Sequence, residues 1–241
     1  MSRIKSYILD QQFDPGALGI FINPFYTVRR ELIGAMRKLS PSITGRTLDI
    51  GCGHRPYEKI FKKAVPYVGL EYDTPHNRSR FRKIDAWYDG GNLPFTDGSF
   101  DSVILTQVLE HVFSPDEMLR DIHRVLRSGG CLLLSVPFAW DEHEQPHDYA
   151  RYSSFGLIYL LRKHGFEITN HTKTVDDVRM IFQLAGCYIH KKLAWIGSYR
   201  LRLIFYILLI SPLTIIGTIL SWILPTNPDM YMDNVILAKK V

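Results

Sequence analysis

The sequence predicts an α/β fold built on a doubly wound, mostly parallel β-sheet. From Arg46 onward, short apolar runs typical of buried strands alternate with stretches of helical periodicity, which is the pattern of βαβ units. The first of these runs leads into a glycine turn, Gly51-Cys52-Gly53, and a strand followed by such a turn is typical of the same fold class. The chain of 241 residues is long enough for one domain of this kind with an elaboration.

The predicted elements follow one another in a regular order. A first helix is expected over residues 25–39, where apolar residues recur every three or four positions, and Ser40-Pro41-Ser42 ends it. Ser114 and Pro115 are typical of a later helix start, and Gly129-Gly130 is expected to end that helix. Strands are expected at 47–50, 67–70, 102–105, 131–136, 166–173 and 234–241, and the remaining helices at 57–64, 115–127 and 153–164.

Composition and charge exclude several classes of protein. Apolar residues make up 46% of the chain and charged residues 22%, which excludes a largely disordered or fibrous chain. The net charge of +5 does not by itself indicate nucleic acid. The opening residues lack the continuous apolar core of a signal peptide. The three cysteines, Cys52, Cys131 and Cys187, lie far apart, which argues against a disulfide framework and a cysteine-rich zinc site and favours a reducing compartment.

The glycine turn after the first predicted strand indicates a nucleoside-binding site. Glycines allow a ligand to approach the backbone closely. A dinucleotide fingerprint needs a third glycine, but Pro56 stands at that place, so NAD and FAD are disfavoured. Asp49 precedes the turn, where its charge would repel a pyrophosphate and attract a positive group. Glu71 ends the next strand, where a carboxylate can accept hydrogen bonds from both ribose hydroxyls; a surface acid is the alternative.

The order of four segments resembles that of class I S-adenosylmethionine-dependent methyltransferases of the small-molecule or lipid type. The segments are LDIGCG, VGLEYD, LPFTDGSFDSVILTQVLEHV and LRSGGCLLLSVPF. The resemblance covers residues 46–173 and the last strand, and it implies a Rossmann-like, seven-stranded sheet whose last strand is antiparallel. It also implies S-adenosylmethionine as the cofactor, bound at the carboxyl ends of the strands.

The resemblance implies a cofactor-binding role for Asp49, Gly51, Cys52, Gly53, Glu71, Asp89 and Gln107. Asp49 and the glycine turn would hold the methionine part of the cofactor, and Glu71 would bind the ribose diol. Asp89 would bind the adenine amine, with Asp85 as a second candidate because the stretch before the LPF motif is long. Gln107 would line the pocket in which the methyl group is transferred.

The polar segment 141–152 contains the candidate catalytic residues. His143, His147 and Tyr149 follow a strand end, where they can act as a base or orient an acceptor. The alternative is a polar loop held by its own ion pairs. His111 is a weaker candidate, because a histidine at a helix start is more often packed and hydrogen-bonded.

The same segment contains the HExxH sequence motif of zinc proteases. His143 and His147 have the HExxH spacing, which works only when both histidines share one helix face. Pro146 lies between them and would remove a backbone donor and clash with the preceding turn of such a helix. The sequence therefore predicts no metal site.

An uncharged segment of 22 residues, Leu203–Leu224, interrupts the α/β pattern. A single helix of about this length just spans a bilayer. One crossing would leave the last strand on the far side of the membrane, however, and Ser211-Pro212 favours a break into halves at 199–210 and 213–224. Each half is too short to cross but can lie in the interface, so a monotopic insertion is predicted. A transmembrane hairpin, a buried core helix and a dimer interface are the alternatives.

One group of basic residues lies directly before this segment, and a second lies much earlier in the chain. Lys191, Lys192, Arg200 and Arg202 are placed to meet anionic head groups, with Trp195 and Trp222 near the interface. A second group, at residues 78–83, is expected to be a solvated surface, because no RNA-binding module accompanies it. No nucleic-acid partner is therefore predicted.

The sequence predicts four regions and one activity. The regions are an N-terminal helical cap (1–45), a cofactor-binding core (46–173), a helical, membrane-associating insertion (174–233) and the last strand (234–241). The expected activity is O-methylation of a lipid-like or lipid-linked acceptor (a quinone precursor, glycolipid or polyprenyl-linked sugar) on the cytoplasmic side of a membrane. The alternatives are methylation of a soluble small molecule or RNA by a dimer, and a non-catalytic cofactor-binding membrane protein. The oligomeric state is left open.

Overall fold

A computed structural model describes residues 11–241, and its sheet has seven strands. The strands are β1 (Gly45–Ile50), β2 (Ala64–Tyr72), β3 (Ala86–Tyr88), β4 (Phe100–Thr106), β5 (Leu126–Pro137), β6 (Phe166–Lys173) and β7 (Asp233–Lys240). Their order is β3-β2-β1-β4-β5-β7-β6, and the pairs from β3 to β5 are parallel. Thr169 bonds to Leu237 and His171 to Asn234, so β6 and β7 run antiparallel. The predicted fold class is confirmed.

The helices lie between and beyond these strands. They are α1 (Gly19–Ile22), α2 (Tyr26–Leu39), α3 (Pro75–Arg80), α4 (Pro115–Val125), α5 (Ser154–Lys163), α6 (Arg179–Lys192), α7 (Tyr199–Phe205) and α8 (Ser211–Ser221). A π-helical turn, Tyr206–Ile210, joins α7 to α8. These three make one continuous helix, Tyr199–Ser221, called the long helix below.

One face of the central strands is apolar and fully buried, and it forms the core of the sheet unit. Leu48 and Ile50 of β1 and Leu105 of β4 are fully buried in one core cluster. Helix α4 packs into the same cluster, because its apolar residues recur at helical spacing on one face. The spacing explains why a helix forms between two strands, and the parallel pairing of the strands puts their carboxyl ends at one edge.

Two predicted elements were wrong, and strand pairing explains both. The helix expected at 57–64 is a single 3₁₀ turn, Glu58–Ile60, because Ala64 already pairs with Gly45 as the first residue of β2. Helix α4 ends at Val125, so Gly129-Gly130 does not end it. The two glycines lie in β5, where the register with β4 shifts and the residues before Cys131 form a bulge.

The break expected at Ser211-Pro212 takes another form. The long helix continues through this site, and the π-helical turn lies immediately before it. Proline has no N–H to donate and its ring clashes with the carbonyl four residues earlier. One widened turn accommodates this defect without ending the helix.

Internal contacts divide the chain into two compact units. The helical unit comprises the described residues up to Gly34 together with 139–141 and 173–233. The sheet unit comprises 35–138, 142–172 and 234–241. The expected N-terminal cap and the segment expected to lack a signal peptide both include residues 1–10, which lie outside the described residues.

Within the helical unit, α6 packs along the long helix in the antiparallel direction. A Cβ on Gly217 would lie 3.0 Å from Phe182, and one on Gly186 would lie 3.2 Å from Ile210. Further along, the Tyr206 hydroxyl is 2.9 Å from Nδ1 of His190. Small residues at the first two contacts allow the helices to approach closely.

Candidate cofactor and catalytic site

The glycine turn has a backbone that only glycine adopts easily. Gly51 has φ +69° and Gly53 has φ +53°. A Cβ on Gly51 would lie 2.5 Å from Val108, whereas a Cβ on Gly53 would meet its nearest neighbour, Phe81, at 3.6 Å. The N–H groups of Gly51 and Cys52 both donate to the carbonyl of Leu70, at 2.9 and 3.2 Å. The turn is therefore fixed to β2, and space is open beside Gly53.

Glu71 at the end of β2 reaches this turn with its side chain. Its Oε2 accepts the Gly53 N–H at 2.8 Å and its Oε1 accepts the Tyr72 N–H at 3.0 Å. The residue is only 8% exposed, and burial raises the pKa of its carboxyl while the two N–H donors oppose that rise. Each carboxylate oxygen keeps a lone pair with which to accept a further hydrogen bond.

Asp49 is anchored to β2. The hydroxyl of Tyr67 donates to its Oδ2 at 2.6 Å, and the residue is buried. Burial raises the pKa of Asp49 to about 7, against the opposing effects of Tyr67 and Arg55. Burial also raises the pKa of the Cys52 thiol, so this cysteine contributes its backbone to the turn and no thiolate.

The two candidate adenine-binding acids lie at opposite ends of β3. Asp89 follows β3, is exposed, and accepts the Gly91 N–H at 3.0 Å. Asp85 precedes β3, where it pairs with Arg55 and accepts the Gly69 N–H at 2.8 Å. Because β3 is parallel to β2, Asp89 is at the same sheet edge as Glu71, and the geometry favours Asp89 over Asp85.

Gln107 follows β4 with a backbone that is unusual for a residue with a side chain. Its φ is +55°, its N–H donates to the Ser135 carbonyl at 2.8 Å, and its Nε2 is 3.3 Å from the Ser135 hydroxyl. Strain of this kind at a strand end is commonly associated with function. The predicted role in the methyl-transfer pocket stays a prediction.

The three candidate catalytic residues lie in one hydrogen-bonded cluster. The His147 Nδ1 is 3.0 Å from the Tyr149 hydroxyl, and the His143 Nε2 is 3.2 Å from the Nε2 of His111. The Nδ1 of His111 is 2.7 Å from the His147 carbonyl. His111, the weaker candidate of the sequence, also belongs to this cluster. Its position after β4 and that of His143 after β5 are the missed signal, because loops after adjacent strands are neighbours.

The same loop is held by an internal ion pair, as the alternative interpretation proposed. Asp148 is nearly buried and accepts from Arg151 at 2.6 and 2.7 Å and from the His143 backbone N–H at 2.9 Å. Arg151 lowers the pKa of Asp148 to about 2. The described chain has no helix between 141 and 152, so the two histidines of the HExxH letters do not share a helix face.

Comparison with known sequences decides the family. The model of the methyltransferase-domain family matches residues 25–191, which is more than half of the chain. The chain belongs to the class I S-adenosylmethionine-dependent methyltransferases. An uncharacterized methyltransferase of Mycobacterium sp. (strain JLS) is 32% identical over 210 residues, covering 81% of this chain and 78% of that protein.

Other relatives of this methyltransferase are matched over smaller shares of their length. A probable S-adenosylmethionine-dependent methyltransferase of Mycolicibacterium smegmatis is 29% identical over 180 residues, 70% of this chain and 66% of that protein. A Mycobacterium tuberculosis protein of the same description is 32% identical over 118 residues, 46% of this chain and 43% of that protein.

Solved structures share the fold of the methyltransferase. Phosphoethanolamine N-methyltransferase 2 of Haemonchus contortus, bound to S-adenosylmethionine, has a TM-score of 0.55 at 16% identity, covering 98% of this chain and 57% of that one. The cyclase SpnF has a TM-score of 0.54 at 21% identity, covering 86% and 80%. At these identities the likeness concerns the fold alone.

S-adenosylmethionine is the cofactor of this family, and the residues of the methyltransferase fit it. The open space beside Gly53 lets a ligand approach the backbone, and the buried Glu71 carboxylate offers acceptors for a diol. Above its raised pKa of about 7, the Asp49 carboxyl is ionised and would favour a cofactor that carries a sulfonium. No third glycine prepares the turn for a pyrophosphate. The individual contacts stay predictions.

Proposed function

We propose that this methyltransferase methylates an oxygen of a lipid-like or lipid-linked acceptor at a membrane surface, on the cytoplasmic side. The long helix carries the proposal. It has 23 residues, is apolar enough to cross a membrane, and only 22% of its most apolar stretch is buried. A core helix of a soluble domain buries most of its apolar surface, whereas this one leaves it exposed.

The exposed apolar side chains of the long helix and of the three residues after it are here called the apolar face. It consists of Leu201, Ile204, Ile207, Leu208, Leu209, Ile215, Ile216, Ile219, Trp222, Ile223 and Leu224. An apolar area of this extent on the surface of a soluble protein indicates a partner or a membrane. Trp195 and Trp222 are 83% and 78% exposed, and tryptophan favours the boundary between lipid and water.

Packing supports an in-plane orientation over a transmembrane one. Helix α6 lies along the long helix, and its first residue, Arg179, is paired with Asp177 and Glu31, each at 2.7 Å. A crossing of the long helix would carry α6 and this charge cluster toward hydrocarbon, which is costly. A helix with one apolar face lying in the head-group region avoids that cost.

A cavity of about 360 Å³ in the helical unit supports an acceptor with an anionic head group. It is lined by Arg29 and Arg202, together with His190, Tyr199 and Tyr206 of α6 and the long helix. The Nε atom of Arg202 is buried and has no hydrogen-bond partner among the described residues. A phosphate is a suitable occupant, which favours a lipid-linked phosphate among the acceptors considered.

Methyl transfer from this cofactor requires little from the protein beyond positioning the acceptor. The cofactor supplies a methyl group that is already activated on a sulfonium. The chain must hold the acceptor oxygen about 3–3.5 Å from that carbon and keep water away. His147, oriented by the Tyr149 hydroxyl, is the residue we assign to take up the proton of the acceptor hydroxyl.

Vesicle flotation tests the membrane part of the proposal. Wild-type protein should float with vesicles of phosphatidylcholine and phosphatidylglycerol, and Leu208→Glu combined with Ile215→Glu should reduce the bound fraction at least tenfold. Phe155→Glu is the matched control, because Phe155 is 84% exposed but lies on α5 in the sheet unit. Titration with S-adenosylmethionine shows whether each variant is folded.

Two outcomes would contradict the membrane proposal. One is equal flotation of the double variant and the control. The other is a detergent-free dimer that the double variant converts to monomer, which would identify the apolar face as a dimer interface. If flotation behaves as expected, transfer of a labelled methyl group into a lipid extract tests the acceptor class.

A further inference from the structure

Glu110, His111 and His143 come together in the sheet unit from two separate loops. Glu110 and His111 lie in the 3₁₀ turn Leu109–His111 that follows β4, and His143 lies in the loop after β5. One potential ligand atom from each of the three residues lies within 4.8 Å of the other two. The proposed base, His147, and the cofactor residues are not members of this group.

The neighbours of the two Nδ1 atoms favour one tautomer of each histidine. The Nδ1 of His111 is 2.7 Å from the carbonyl oxygen of His147, and the Nδ1 of His143 is 3.4 Å from Oδ2 of Asp148. The carbonyl can only accept, so the Nδ1 of His111 carries a proton, and the nearby carboxylate favours a proton on the Nδ1 of His143 as well. Each Nε2 then presents a lone pair.

These two Nε2 atoms face each other at 3.2 Å. Two lone pairs at this separation repel unless a cation or a shared proton lies between them. Two nitrogens bound to one tetrahedral zinc ion, each at about 2.0–2.1 Å, are separated by about 3.3–3.4 Å. The observed distance therefore matches that of two ligands of a single ion.

The third residue supplies charge and an oxygen ligand. Glu110 is fully buried, and its Oε1 is 3.8 Å from the Nε2 of His111. A buried carboxylate beside two neutral imidazoles offsets the charge of a divalent cation. Histidine ligands of metal ions commonly donate their other N–H to a carbonyl or a carboxylate, as His111 and His143 do here.

We propose that Glu110, His111 and His143 bind one divalent transition-metal ion of the zinc class. Two nitrogen ligands and one oxygen ligand suit zinc or cobalt better than magnesium or calcium, which prefer oxygen ligands throughout. Three protein ligands leave the fourth tetrahedral position open to water or an acceptor oxygen. The use of that position by an acceptor rests on the proposed function; the metal site itself does not.

Metal titration of the full chain tests this proposal without any measurement of activity. Protein stripped with a chelator is titrated with zinc chloride by calorimetry and with cobalt chloride by visible absorption. We expect one ion per chain, the absorption of tetrahedral cobalt, and a higher Tm with zinc. His111→Ala and His143→Ala should each weaken binding at least tenfold, and Glu110→Gln should do so while preserving the shape of the side chain.

The matched control is His76→Ala, which removes an exposed histidine on α3. It should leave the stoichiometry and the affinity unchanged. Binding of S-adenosylmethionine shows whether each variant is folded. The proposal is overturned if folded wild-type protein binds neither metal at micromolar concentration, which would mean that the two histidines share a proton. It is also overturned if His111→Ala binds zinc as wild type does.

Discussion

Replacement of Asp49 by asparagine should change the pH dependence of stability in a defined direction. Burial raises the pKa of Asp49 from 3.8 to about 7 in the folded protein. Between these values the native state holds a proton that the unfolded chain releases, so the free energy of unfolding falls as the pH rises. Asparagine does not titrate, and its oxygen still accepts the Tyr67 hydroxyl.

The magnitude follows from the size of the shift. Each pH unit in this range corresponds to about 1.36 kcal/mol, and two units separate pH 5 from the folded pKa. Asp49→Asn should therefore gain about 2–3 kcal/mol relative to wild type between pH 5 and pH 8. The stabilising contribution of the aspartate is present below pH 4 and is lost as the pH rises through 7.

Urea unfolding of cofactor-free protein at pH 5 and pH 8, followed by circular dichroism, measures this difference. Asp89→Asn is the matched control, because it makes the same substitution at an exposed carboxylate. A difference between Asp49→Asn and wild type that does not change with pH would refute the reasoning. It would mean that Tyr67 and Arg55 keep the buried carboxylate ionised in the native state.

Three other substitutions test the turn, the ribose contact and the helix packing. Gly51→Ala should destabilise the protein by about 2–4 kcal/mol in urea unfolding, since it adds left-handed strain and a collision with Val108. Gly53→Ala adds the strain without the collision, so it should destabilise less and also weaken cofactor binding. Glu71→Gln should weaken binding of S-adenosylmethionine and S-adenosylhomocysteine about 10–100-fold in calorimetry, because charged hydrogen bonds contribute about 1.5–3 kcal/mol. An unchanged affinity would mean that Glu71 does not bind the ribose. Gly217→Leu should lower the Tm by several degrees, because the introduced leucine side chain would collide with Phe182 where α6 contacts the long helix. A Tm equal to that of wild type would contradict this packing.

The sequence predicted the strands well because their signal is local. The run at 102–105 lies inside β4, and the run at 67–70 lies inside β2. In each case the observed strand is longer, because flanking residues such as Phe100, which pairs with Leu126, become extended through pairing with a neighbour and not through their own periodicity. The helix expected at 57–64 failed for the same reason, since the pairing of Ala64 with Gly45 overrides the local pattern.

The candidate site could be predicted where it depends on one strand end. Glu71 and the glycine turn are each read from a single segment, and the structure joins them by one hydrogen bond of 2.8 Å. The contact between His111 and His143 could not be read in this way, because 32 residues separate them and neither lies in a periodic pattern. Only the order of the strands brings their loops together.

The position of β7 has a consequence for how the protein is made on the ribosome. This strand lies between β5 and β6, yet it is translated after both of them. Until Asp233 and the residues after it have emerged, β6 has no partner and the edge of β5 remains open. The helical unit cannot complete its packing earlier either, because Glu31 pairs with Arg179, which follows it by 148 residues in the chain. Neither unit can therefore complete its fold before residue 233 and the strand that follows it have been translated, and a chaperone would be needed most while these strand edges are still exposed.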